Sequence, residues 1–74
     1  MVKANMCYDQ PLDISVETLI QEVKKAGAII TNYHIVGKLT VDLDIEVENI
    51  DNFRLAYDNI CTTNCLQNIS WQMS

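Results

Sequence analysis

The segment Lys38–Asn49, KLTVDLDIEVEN, alternates without a break. Leu39, Val41, Leu43, Ile45 and Val47 are apolar, and Thr40, Asp42, Asp44, Glu46 and Glu48 stand between them. A period of two marks a strand with one dry face and one wet face. The apolar side must point at whatever covers the sheet, so the carboxylates must point into water. Acids on one face of a strand lie about 7 Å apart. In water their repulsion is roughly 0.6 kcal/mol per neighbouring pair before salt screening, which a strand tolerates. The same acids turned inward would be prohibitive.

The rest of the chain supplies elements to cover that strand. Val2–Tyr8 alternates Val2, Ala4, Met6 and Tyr8 against Lys3, Asn5 and Cys7, a second strand pattern. Asp9–Leu12 is a turn. Asp13 or Ser15 can cap a helix through a side-chain oxygen. Val16, Leu19, Ile20 and Val23 recur at helical spacing, with Glu17 in the first turn and Lys24 and Lys25 in the last. Gly27 can take the left-handed conformation that ends the helix. Ala28–Val36 is rich in β-branched residues and reads as a strand, and Gly37 marks a hairpin into Lys38–Val47. Asn49 can cap a second helix carrying Ile50, Phe53, Tyr57 and Ile60 on one stripe, stopping near Asn64. Leu66–Met73 closes as a last strand with Ile69, Trp71 and Met73 on one face.

The order β-α-β-β-α-β predicts an α+β, ferredoxin-like sandwich over residues 1–74. It has a four-stranded antiparallel sheet with both helices on one face and the third strand between the first and second. The hairpin has two readings. A two-residue Gly37–Lys38 turn puts His34 opposite Val41, on the core side. A three-residue Val36–Gly37–Lys38 loop with a bulge puts Ile29, Thr31, Tyr33 and Ile35 inward. His34, Asn32 and Ile30 then face outward beside Thr40, Asp42 and Asp44. The second buries more apolar surface and is preferred.

Ten acids against five bases give a net charge of −5, which opposes direct binding to nucleic acid or an anionic membrane. The apolar content of 49% argues against disorder. No apolar run approaches a membrane span, and MVKANMCYDQ lacks the apolar core of a signal peptide, so cytoplasmic residence is expected. Three cysteines, Cys7, Cys61 and Cys65, read as reduced thiols rather than a disulfide framework.

Three segments together resemble an ACT domain, a small ligand-sensing module of this topology. Asp9-Gln10-Pro11-Leu12 stands where that family has Asp-x-Pro-Gly after the first strand. KKAGAIITNYHI is similar to its helix end, glycine and second strand, and LTVDLDIEVENIDNF to its third strand and second-helix entry. The resemblance implies the fold and side-by-side dimers. Leu12 replaces the glycine that lets the family's loop approach a bound amino acid, so no ligand residues are carried over.

Cys61 and Cys65 could contribute thiolates to zinc, but by parity Cys7 and His34 lie on the opposite side of the sheet, so no metal site is expected. Cys7, His34 and Asp42 on the open face are the elements of a nucleophilic site. A flat face offers no pocket and no oxyanion donors, so a solvated polar face is the simpler reading. The open face also lacks the aromatics and bases of an RNA-binding sheet. The expectation is therefore a non-enzymatic, acidic interaction or regulatory module that needs no cofactor. Its partner-binding face comprises Asp42, Asp44, Glu46 and Glu48 with His34 and Asn32, and a basic protein suits it. A homodimer through the sheet edges is a further expectation. The alternative is a phage-type inhibitor whose acids stand in for phosphates and block a nucleic-acid-binding protein.

Overall fold

The computed structural model describes residues 1–73. The elements run β1 (Val2–Asp9), α1 (Val16–Lys25), β2 (Ile29–Val36), β3 (Thr40–Val47), α2 (Ile50–Asn64) and β4 (Gln67–Met73). The four strands form one sheet in the order β2-β3-β1-β4, and every neighbouring pair is antiparallel. The chain is thus α+β, with β3 between β1 and β2 as its element order predicts. Among the described residues no helix is long and apolar enough to cross a membrane.

The two alternating strands occupy the centre. β1 and β3 pair without interruption from Val2 opposite Val47 to Asp9 opposite Thr40. Ala4, Met6 and Tyr8 therefore share one face with Val41, Leu43, Ile45 and Val47, and all seven are buried. Leu19, Ile20 and Val23 of α1 and Phe53, Tyr57 and Ile60 of α2 complete the same core cluster. The periodicity of both helices thus translates directly into buried faces.

Local chemistry sets the helix limits. Ser15, one of two candidate caps, begins α1, and its Oγ accepts the Thr18 amide at 3.2 Å. Gly27 sits at φ +105, a conformation that a side chain would strain. The Asn49 side chain accepts the Asn52 amide at 3.0 Å and starts α2. That helix ends on Cys65 at φ 57, where a glycine is the usual choice. The Leu66 amide donates to the Cys61 carbonyl at 2.9 Å and closes the turn.

The edge strands depart from expectation. The hairpin loop is Gly37–Lys38–Leu39, since Val36 pairs with Thr40. Leu39, expected to point at the helices, lies in this turn, 37% exposed and outside the core cluster. His34 and Asn32 do face outward, but beside Asp42 and Asp44, two positions along from the expected neighbours. The bulge falls at Thr31, between Ile30 and Asn32, rather than at the hairpin. Alternation inverts there, so Ile30 pairs with Ile45 and packs on the core, while Ile29 pairs with Glu46 and is exposed. In β4 a second bulge at Ile69 puts Asn68 opposite Tyr8 instead of on the open face. Trp71 and Met73 keep the predicted side, opposite Met6 and Ala4, and Ile69 is left exposed. A bulge inserts one unpaired residue, and apolar alternation cannot reveal it when both neighbours are β-branched or small.

Aromatic packing joins α2 to the sheet. Phe53 stacks on Trp71 at 6.0 Å between centroids and on Tyr57 at 6.2 Å, and the Arg54 guanidinium lies 4.7 Å over Trp71. Tyr8 and Tyr57 bury their hydroxyls without an ordinary hydrogen bond from any described residue. Burial, followed by the Cys61 thiol, pushes the Tyr8 phenol up to about 12. Burial raises Tyr57 further.

Leu19 is fully buried. Leu19→Ala is expected to cost about 2–5 kcal/mol, a large part of a small domain's stability, and a denaturant titration reads the loss. The tyrosines predict an alkaline response. A neutral Tyr8 contributes stability below about pH 10, its unfolded pKa. That contribution disappears as pH rises towards about 12, the folded value. Tyr8→Phe should be near neutral at pH 7, because it removes an unpartnered group. It should also blunt the alkaline loss, as thermal melts across that pH range would report.

Candidate functional site

The outer face of the central strands carries all of the charge held by the sheet. Successive β3 residues point to opposite sides, so burying Val41, Leu43, Ile45 and Val47 forces Asp42, Asp44 and Glu46 outward. All three are half-buried by their cross-strand neighbours. Register sets those neighbours. Lys3 faces Glu46, Asn5 faces Asp44, Cys7 faces Asp42 and Asp9 faces Thr40.

Asn5 organises the row. Its Nδ2 donates to Asp44 Oδ1 at 2.8 Å and, diagonally, to Asp42 Oδ1 at 2.7 Å. One amide thus serves two carboxylates that would otherwise meet only each other's charge and water. Lys3 Nζ lies 3.9 Å from Glu46 Oε1, but Lys3 is well exposed and the pair counts for little. At the other end Thr40 Oγ1 donates to Asp9 Oδ1 at 2.5 Å. The row is therefore a fixed pattern of carboxylates. Sequence reasoning missed Asn5, though an uncharged amide at a middle position of β1 was the available signal.

The expected site residues do not all join. Asp42, Asp44 and Glu46 form the row, with His34 and Asn32 beside Asp42 and Asp44 on the edge strand. His34 Nε2 lies 3.3 Å from Asn32 Nδ2, and both side chains are exposed. Glu48 lies past the end of β3, where it is exposed. It lines a shallow hollow of about 290 Å³ with Asn49, Asn52, Phe53 and Gly27. A second hollow, about 260 Å³, lies on the row itself between Lys3, Thr31, Asp44 and Glu46, beside the β2 bulge.

Cys7, Asp42 and His34 do fall in one line across three strands. The order is what matters, because Asp42 stands between the other two. The imidazole is two strand spacings from the thiol, roughly 10 Å, too far to take its proton. Burial, Asp42 and Asp9 all push the Cys7 thiol up, so the nucleophilic thiolate is disfavoured. Burial also raises Cys61, partly offset by Tyr57 and reinforced by Asp58. All three cysteines are free thiols. Among the described residues no three His, Cys, Asp or Glu side chains converge as metal ligands.

Comparison with protein-family models, with curated proteins and with solved structures gives no match.

Asn5→Asp exchanges the shared donor for another carboxylate inside the row. It is expected to lower stability by about 2 kcal/mol at pH 7 and low salt. The loss should shrink in about 1 M salt, where charges beyond roughly 3 Å are screened. Urea titrations at the two salt concentrations check both statements.

Proposed function

We propose that this chain is a non-enzymatic binding module whose acidic sheet face recognises a basic surface on another protein. The strand order β2-β3-β1-β4 and the single core uniting both helices with one sheet face support a ferredoxin-like fold. They are compatible with the ACT-like resemblance of its sequence. The observation that carries the reading is the Asn5 clamp, which holds Asp42 and Asp44 in a set arrangement on a sheet face. Preorganised charges bind without first losing side-chain entropy, and complementary fields speed encounter. Solubility alone would be served by freely moving acids anywhere on the surface.

The test uses Asp42→Asn with Asp44→Asn. Both substitutions keep the shape of the face and remove two charges, so the variant should fold with unchanged or slightly higher stability. Its association with a polylysine or protamine surface should slow at least tenfold at low salt, measured by surface plasmon resonance, with a smaller change in dissociation. Binding by the unaltered chain should weaken steadily as salt rises. Binding indifferent to both substitutions at low salt would remove the row from the mechanism.

A further inference from the structure

Two of the three thiols stand at the C-terminal end of α2. Cys61 is half-buried and packs against the core, and Cys65 is exposed. Four residues of helical rise put their Cα atoms about 6 Å apart. Local hydrogen bonds hold the turn that carries them. Thr62 Oγ1 donates to the Asp58 carbonyl at 3.0 Å, and Asn64 Nδ2 donates to the Ile60 carbonyl at 3.0 Å. The Cys61 carbonyl accepts the amides of both Cys65 and Leu66. Cys65 sits at φ 57, where glycine or asparagine fits with less strain, yet the chain carries a thiol there.

Tyr57 supplies an independent observation. It lies one turn before Cys61 on the same helix stripe and is 3% exposed. Its hydroxyl finds no hydrogen-bond partner among the described residues. Burial pushes the Cys61 thiol up, and the Tyr57 hydroxyl beside it pulls it down. A thiol is a weak acceptor, whereas a sulfur that has exchanged its proton for a metal ion is a strong one. We propose that Cys61 and Cys65 bind one soft monovalent metal ion, of the class of copper(I), as a two-coordinate dithiolate, with Tyr57 donating to the Cys61 sulfur.

Ligand number selects the ion. Soft thiolates favour copper(I), zinc and iron–sulfur clusters. Structural zinc and the clusters take four ligands, and among the described residues no three His, Cys, Asp or Glu side chains converge. A closed-shell monovalent ion is satisfied by two. Cys7 lies on β1, opposite Asp42 on the outer face of the sheet, and takes no part. Two metal–sulfur bonds of roughly 2.3 Å each readily cross the gap between the two residues. A disulfide would leave the Tyr57 hydroxyl facing a poor acceptor, whereas the dithiolate gives it an anionic one. Binding releases two thiol protons to solvent, forms two metal–sulfur bonds and exchanges no electrons.

Competition against a chromophoric copper(I) chelator, with ascorbate present and oxygen excluded, tests this on the full chain. One equivalent of copper(I) should pass to the protein, and native mass spectrometry should show one ion on one 8.4 kDa chain. X-ray absorption should find two sulfur neighbours and no third ligand. Cys65→Asn removes the exposed thiol and suits the left-handed turn. It should stay folded by circular dichroism and bind copper(I) roughly a hundredfold or more weakly. Cys7→Ser should bind like the unaltered chain. Tyr57→Phe keeps the ring and should leave the melting temperature of the metal-free chain unchanged while weakening binding about tenfold. No transfer of copper(I), binding indifferent to Cys65→Asn or to Tyr57→Phe, or one ion shared between two chains would each overturn the inference. Its failure is separable from that of the acidic-face reading, because Asp42→Asn with Asp44→Asn should leave copper(I) binding intact.

Discussion

The uninterrupted pairing of β1 with β3 is the constraint on which the other elements depend. Eight consecutive pairs hold two amphipathic strands in one register, from Val2–Val47 to Asp9–Thr40. A slip of one residue would drive Asp42, Asp44 and Glu46 into the core and expose Leu43 and Ile45. Such a slip would strand three carboxylates away from water, a cost far above the whole stability of a small domain. The acids therefore specify the fold before they do anything else. They bar the wrong register, and Asn5 can meet Asp42 and Asp44 only in the right one.

With that register fixed, the helices have a single apolar floor on which to settle. α2 takes the larger share through Phe53, Tyr57 and Ile60, and its aromatic contacts reach across to Trp71 on β4. α1 contributes Leu19, Ile20 and Val23 in only ten residues. On β2, Tyr33 and Ile35 share the helix side of the sheet yet stay half in water. The core also contains the Tyr8 and Tyr57 hydroxyls and the Gln10 Oε1, which find no hydrogen-bond partner among the described residues. Gln10 Nε2 does donate to the Ile14 carbonyl at 2.6 Å and pins the loop before α1. These groups lie where the sequence favours ring and chain volume over complete polar satisfaction.

Most of this architecture was legible because period is written in residue types. The β3 pattern places its own faces, and Leu19, Ile20, Val23, Phe53, Tyr57 and Ile60 announce theirs. Ser15, Gly27 and Asn49 mark helix ends through chemistry that the sequence displays. What escaped was any feature set by one unpaired residue. Ile29, Ile30 and Thr31 are all β-branched, so nothing in their types says which of them is the bulge. Leu39 extends the β3 alternation by one apolar residue, yet the hairpin geometry claims it for the turn. Cys65 in a left-handed conformation has no glycine to advertise it. In the candidate site, the acids were legible and their clamp was not. Asn5 gains its meaning only from two partners about 40 positions away in the chain.

The distribution of charge within the sheet runs against ordinary protective practice. β1 and β3, already paired on both sides, hold Lys3, Asp9, Asp42, Asp44 and Glu46, while β2 and β4 at the edges hold no charged residue. A chain protected only against aggregation would place charge where backbone groups are free. Here charge is concentrated on a face and withheld from the edges. Faces meet other surfaces through side chains, whereas edges meet other strands through backbone hydrogen bonds. The two kinds of surface differ in chemistry: the face offers side-chain carboxylates, and the edges offer backbone N–H and C=O groups with no charged residue beside them. Salt screens the charges of the face and leaves backbone hydrogen-bonding groups at the edges nearly unaffected. Asn5 and the β1–β3 register hold the carboxylates in one pattern on that face, so the charge stays where the fold puts it.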